Sequence, residues 1–301
     1  MSVSLPMTPA RRAILVIGVP IALAVIVIGA ASWASGAVTI FTRQVTNRVA
    51  LSVPAKGGHV SVTADNADVT VRTGTGTGNQ IRVRGTLRGS LVRPTFSWRS
   101  TAAGLVLHSQ CRVPAGVCSL QYAITAPARV PVAVTDSSGG LNASGLRGMV
   151  TISDSSGDLG ASDLAGNIRL HDSSGGITAS GLTGNIRLDN SSGDITASGL
   201  TGGIRFQDDS GGIVANGLAA TDVVASNSSG DITLTFTKIP ERVQVSDESG
   251  SITLVLPPGA TAYDVIHSNS SGNTAIAVPT SSSSKHVIIV ADQSGDITVT
   301  R

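Results

Sequence analysis

The sequence predicts an all-β fold, a single-chain parallel β-solenoid with rungs of about 18 residues, preceded by one N-terminal transmembrane helix. Three observations predict it. A Ser-Gly pair recurs with its glycine at Gly139, Gly157, Gly175, Gly193, Gly211, Gly230, Gly250, Gly272 and Gly295, in steps of 18, 18, 18, 18, 19, 20, 22 and 23 residues. Between these turns apolar and polar residues alternate, the period of a half-buried strand. Upstream, the 20 residues from Ala13 to Ser32 carry no charge.

One unit shows how the repeat folds. In "NIRLDN", from Asn185, Ile186 and Leu188 point one way and Arg187 the other. "SSG" breaks the strand, as turn residues do. "DITA" alternates again, with Ile195 and Ala197 inward and Thr196 outward. "SGLTGG" turns once more, and Leu200 can close the core at the corner. Two short strands cannot bury a core alone, but stacked units cover one another. Glycine every few residues argues against helix, at roughly 1 kcal/mol for each interior glycine. A sandwich also has short strands and regular turns, yet it has no reason to repeat identical positions at a fixed spacing. Rungs stacked at roughly 4.8 Å do, and nine of them make a rod of about 40 Å. The widening steps late in the chain read as small loop insertions.

Two columns in the repeat involve acids. Three residues before each Ser-Gly glycine stands Asp or Asn: Asp136, Asp154, Asp172, Asn190, Asp208, Asn227, Asp247, Asn269 and Asp292. Such side chains bond the backbone two residues on, and Gly accepts φ > 0, so the column reads as turn chemistry. The nine-residue calcium-binding β-roll pattern is missing. After the glycine comes a second column, Gly140, Asp158, Gly176, Asp194, Gly212 and Asp231. Its alternation of acid with glycine reads as avoidance of like charges one rung apart.

The chain divides into a cytoplasmic tail (1–12), a transmembrane helix (13–33), a linker (34–46), irregular β rungs or an N-terminal β cap (47–130) and the solenoid repeats (131–301). Twenty helical residues span roughly 30 Å, the hydrocarbon thickness of a bilayer. Trp33 follows at the interface. A signal-peptide core is shorter, about 7–15 residues, although the small residues Ala34 to Ala37 leave cleavage open. Arg11 and Arg12 favour an inside N-terminus, which places the bulk of the chain outside the membrane. In the region 47–130, "DNADVTV" from Asp65 to Val71 is a degenerate copy of the later "DSSGDIT". An open solenoid end needs such covering, because a bare edge invites aggregation.

Cys111 and Cys118 are the only cysteines, seven apart with Pro114 and Gly116 between them. A disulfide there closes a small loop, adds roughly 2–3 kcal/mol by the chain-entropy account and belongs outside the cytoplasm. Two unpaired thiols are the other reading. Metal-ligand spacing is missing, and none of the five histidines lies at ligand spacing to the cysteines. No nucleophile elbow, zincin helix, phosphate loop or dinucleotide fingerprint occurs, so neither catalytic residues nor cofactors are expected. Carbohydrate-cleaving β-helices need long loops to wall a groove, and the central rungs have no insertion.

One outward column is a candidate binding stripe. Arg169, Arg187 and Arg205 fall at the same position in three successive rungs. They can grip an anionic envelope polymer or lipid headgroups, or form a solvated face balanced by nearby Asp. The outward Thr178, Thr196, Thr233, Thr253 and Thr298 form another column, interrupted by Val214. A net charge of +2 and 3 % aromatics do not suggest nucleic acid.

Taken together, the anchor, the degenerate strands, "ITAPARVPVAVTDSSGGL", the repeated "SSGDIT" turns, "SITLVLPPGATAYDV" and the closing "DQSGDITV" resemble the bacterial "putative adhesin" family of membrane-anchored β-strand repeat proteins, a domain of unknown function. The resemblance covers residues 47–301. It implies a cell-envelope location, and some relatives are linked to envelope-stress signalling. It carries no catalytic or binding residues with it. The expectation is therefore a non-catalytic, single-pass, extracytoplasmic module for adhesion or scaffolding. The alternative is a sensory or regulatory envelope-stress protein that binds a protein partner through the solenoid. A carbohydrate-active enzyme is a third reading.

Overall fold

The computed structural model describes residues 45–301, apart from 56–57, 75–77, 91–93, 102, 112–117 and 260–261. The expected transmembrane helix at 13–33 lies outside the described residues, as do the tail 1–12 and most of the linker 34–46. Among the described residues every helix or strand element is a β-strand.

The repeat is a parallel solenoid with two strands per rung. Thr183–Asn190 pairs in parallel with Ala165–Asp172 on one side and Thr201–Asp208 on the other. Ile195–Ser198 pairs with Ile177–Ser180 and with Ile213–Asn227. A long-strand sheet and a short-strand sheet thus face one another, joined by turns at both edges. The 18-residue identity of position is strand register: Ile168, Ile186 and Ile204 are aligned, as are Ile177, Ile195 and Ile213.

Alternation puts one apolar set between the sheets. Ile177 and Ile195 are fully buried, and Ile186 and Ile204 are 3 % and 4 % exposed. The corner leucines Leu146, Leu164, Leu182, Leu200 and Leu218 are buried as well. Volumes are traded within a rung. Leu170, Leu188 and Phe206 on the long-strand sheet are followed across the turn by Ala179, Ala197 and Ala215. Where the long-strand residue shrinks to Ala225, its partner grows to Leu234. Close packing requires such compensation, because voids and overpacking both cost stability.

At both ends the order of rungs departs from the order of sequence. His59–Thr63 and Ala67–Thr73 stack directly on Val132–Asp136 and Leu141–Ser144. Gly104–Gln110 and Cys118–Ala126 lie outside them. Antiparallel strands then cover this end: Thr95–Thr101 on one sheet, and Gln80–Gly89 followed by Val45–Pro54 on the other. The region thus contains both irregular rungs and a β cap.

The C-terminal end repeats the device. Val287–Asp292 and Ile297–Thr300 insert between the Arg242–Asp247/Ile252–Val255 rung and the Asp264–Asn269/Thr274–Ile276 rung. This corrects the reading of the late steps as simple loop insertions. Gly250 N–H donates to Ser294 O and Gly295 N–H to Ser271 O, so Gly272 lies beyond Gly295 in the stack. The additional residues let the chain step over one layer and return to fill it.

The glycine of each Ser-Gly turn is fixed by its neighbour. These glycines have φ between 113° and 157°. A Cβ on Gly175 would fall onto the carbonyl oxygen of Gly157, and one on Gly193 onto that of Gly175. The corner glycines differ. Gly199 has φ 62°, and a Cβ there would find its nearest atom 3.9 Å away. Gly199→Ala is therefore expected to cost only the left-handed backbone penalty, roughly 1–2 kcal/mol. Gly175→Ala must separate two rungs and should cost more than about 4 kcal/mol. Thermal or urea melts of the two variants check this, and equal losses would contradict the stacking geometry.

Candidate functional site

Period two in the long strands continues past the last core residue. Ile186 and Leu188 point inward, and so does Asn190. The whole column of Asp136, Asp154, Asp172, Asn190, Asp208, Asn227, Asp247 and Asp292 is 0–4 % exposed. One side-chain oxygen performs the expected turn chemistry. Asp154 Oδ1 accepts the N–H groups of Ser155 and Ser156 at 2.8 and 3.3 Å, and Asn190 Oδ1 accepts Ser191 N–H at 2.9 Å.

The second polar atom shows what the interior demands. Asn190 Nδ2 donates to Gly175 O at 3.0 Å and to Gly193 O at 2.8 Å. Asn227 Nδ2 donates to Gly211 O and Gly230 O, both at 2.8 Å. The turn therefore offers two carbonyl oxygens to this position. At Asp154, Asp172, Asp208, Asp247 and Asp292 the equivalent Oδ2 is buried without a hydrogen-bond partner. A carboxylate can only accept, whereas a protonated carboxyl can donate as Asn does. Burial pushes Asp208 and Asp247 up to about 6 and raises Asp154 and Asp172 above the ordinary carboxylate value. Asp136 is also pushed up to about 6 by burial, although its Oδ2 accepts Ala67 N–H at 3.2 Å. Proton-bearing acids thus alternate with amides along one edge of the core.

The second acid column is outside and has a different task. Asp158 Oδ1 accepts Gly176 N–H at 3.2 Å, Asp194 Oδ1 accepts Gly212 N–H at 2.9 Å, and Asp231 Oδ1 accepts Ser251 N–H at 2.8 Å. Asp68 does the same for Gly140, at 3.1 Å, from the degenerate "DNADVTV" turn. Each acid satisfies the backbone of the adjoining rung. The alternation thus supplies hydrogen bonds as well as separating charge.

The structure brings Arg169, Arg187 and Arg205 into one row on the outer face of the long-strand sheet. They border a shallow recess of about 320 Å³ with Asn167, Asn185 and Asp222. Arg187 Nε donates to Asp189 Oδ2 at 2.6 Å, and its Nη2 donates to Gln207 Oε1 at 3.3 Å. That exposed ion pair contributes less than about 1 kcal/mol. Among the described residues, Arg169 and Arg205 have no such carboxylate. Beside the row, Asn185 Nδ2 donates to Asn167 Oδ1 at 3.1 Å. At the N-terminal end Cys111 and Cys118 are joined as a disulfide, with Cα atoms 5.8 Å apart.

A two-sheet solenoid with polar turn columns and flat outer faces is a repeat-scaffold class of protein. Within that class, residues 58–300 match the Toastrack DUF4097 family, and the chain belongs to it. No curated protein matches. Two solved structures are similar: a "putative adhesin" from Bacteroides fragilis and a "putative cell adhesion protein" from Clostridium sporogenes. The first is 12 % identical with a TM-score of 0.35, and its match covers 85 % of this chain and 97 % of its own. The second is 10 % identical with a TM-score of 0.28, covering 85 % of this chain and 99 % of its own.

The acid column sets the direction of the pH dependence. Asp208 and Asp247 have folded values of about 6 against 3.8 for the free group. The folded chain therefore retains protons that the unfolded chain releases, and stability falls as pH rises between those values. The stabilisation is complete below about pH 4 and is lost through about pH 6. Melting followed by circular dichroism should give a higher Tm at pH 5 than at pH 7.5. Asp208→Asn supplies the donor without a proton. It should raise stability at pH 7.5 by about 1 kcal/mol and much less at pH 4. A variant less stable than wild type at pH 7.5 would contradict the donor assignment.

Proposed function

We propose that the chain is a non-catalytic, membrane-tethered module of the cell envelope that serves adhesion or scaffolding. The observation that carries this reading is the uninterrupted stacking from Gly139 to Gly211, which leaves flat outer faces repeating at rung spacing. A periodic face suits a periodic partner, such as an anionic envelope polymer lying along the rod. The Arg169–Arg187–Arg205 row is the contact proposed for it, with Asn167 and Asn185 beside it for hydroxyl groups. The 20 uncharged residues of Ala13–Ser32 are the proposed tether. The Cys111–Cys118 disulfide supports an extracytoplasmic location, because such bonds persist in oxidising compartments.

Replacing all three arginines with Gln should preserve or raise stability. It should also abolish retention on isolated anionic wall polymer, and wild-type retention should fall steeply with salt. Retention of the triple variant equal to that of the wild type would remove this face from the account. Alkylation of intact cells tests the location: the thiols should label only after reduction. Ready labelling without reductant would place the domain in the cytoplasm.

A further inference from the structure

A second arginine group lies at the other end of the rod, on the opposite sheet, and it is built differently from the row above. Arg82 and Arg84 are two residues apart on Gln80–Gly89 and share its outer face, about 7 Å apart along the strand. This strand pairs antiparallel with Cys118–Ala126, so Arg82 lies opposite Thr125 and Arg84 opposite Ala123. On the far side of Cys118–Ala126, Thr125 lies opposite Arg72 of Ala67–Thr73. Arg72 and Arg82 therefore face one another across Thr125, two strand spacings or about 10 Å apart at the backbone. Ala123 and Thr125 are short, and they form the floor of a recess of about 370 Å³ bordered by all three arginines.

No acid lines this recess. The three guanidinium groups have neither a hydrogen bond nor an ion pair among the described residues. Asp68, an acid on the same outer face, is engaged elsewhere: its Oδ2 accepts Gln121 Nε2 at 3.0 Å and its Oδ1 accepts Gly140 N–H at 3.1 Å. In the other row, by contrast, Arg187 is neutralised by Asp189. Three unneutralised cations on adjacent strands repel one another. An anion held between them reverses the sign of that term.

We propose that Arg72, Arg82 and Arg84 form a binding site for a tetrahedral oxyanion of the phosphate class, with the Thr125 hydroxyl as a further donor. Phosphate is favoured over carboxylate by the number of donors. One guanidinium fork saturates a planar carboxylate, whereas a phosphate group offers several oxygens in different directions. The same chemistry is presented by free inorganic phosphate and by the phosphate group of a lipid. This site is independent of the polymer-binding face and of the tether.

The test uses the full chain in neutral detergent, with inorganic phosphate as the probe at constant ionic strength. Phosphate should raise the melting temperature in a saturable manner, and chloride should not reproduce the rise. Arg82→Gln/Arg84→Gln should melt at or above the wild-type temperature without ligand and lose the phosphate response. Arg82→Lys keeps the charge but loses the fork, and it should weaken apparent affinity by about tenfold. It also serves if the double variant does not fold. Arg169→Gln should respond as wild type does. Nanodiscs of phosphatidylcholine with and without phosphatidylglycerol separate the sources. A phosphate response together with an arginine-dependent gain in phosphatidylglycerol discs assigns a lipid phosphate. A phosphate response without that gain assigns the free anion. No response to phosphate, or an equal response in Arg82→Gln/Arg84→Gln, overturns the site.

Discussion

The closest constraint in the molecule is backbone against backbone at the Ser-Gly turn. Each turn glycine sits against the carbonyl oxygen of the glycine one rung before it, so there is no room for a side chain on either. That contact sets the rung separation at one edge of both sheets, and the parallel registers follow from it. With the separation fixed, identical positions fall above one another, and isoleucine stacks on isoleucine through the core. Equivalent contacts at Gly166, Gly184 and Gly202 restrain the opposite edge. The repeat is short because nothing larger than a turn is needed to hold either edge.

The same approach creates the polar interior of the edge. Stacked turns point carbonyl oxygens at the Asp/Asn column, and a donor is required there. Asn meets the need directly, and Asp meets it by keeping a proton. The sequence mixes the two along the column, so the solenoid carries a titratable seam inside an otherwise apolar stack. Outside, Asp68, Asp158, Asp194 and Asp231 tie each turn to the next. Rigidity of this kind holds the arginine groups of both sheets on defined lattice points, and pre-organised donors bind with less loss of entropy than mobile ones.

Much of this was legible because the repeat spacing is constant. Residues 18 apart had to be neighbours, which put Arg169, Arg187 and Arg205 in a row and Ile177 over Ile195. The "DNADVTV" turn was readable for the same reason. The inward direction of the Asp/Asn column was available too, since Ile186, Leu188 and Asn190 share one parity. Turn chemistry explained the residue type well enough to hide its burial. Two features were not legible. The crossed order of the terminal rungs depends on a choice between nearly equivalent strand edges, which local pattern does not encode. The Arg72–Arg82–Arg84 recess depends on the antiparallel register of Gln80–Gly89 against Cys118–Ala126, and no spacing in the sequence states it. The described residues leave the reading of 13–33 as it stood.

Amide hydrogen exchange at the turn glycines tests the stacked-turn account most directly. Gly157, Gly175 and Gly193 donate their N–H groups to Ser174, Ser192 and Ser210 of the adjoining rung. In a sandwich of antiparallel hairpins the same amides would face water. The account predicts protection at these glycines as strong as in the strands and recurring every 18 residues, with Gly250 protected by the Ser294 turn. Rapid exchange at the glycines, with protection confined to the strands between them, would contradict it.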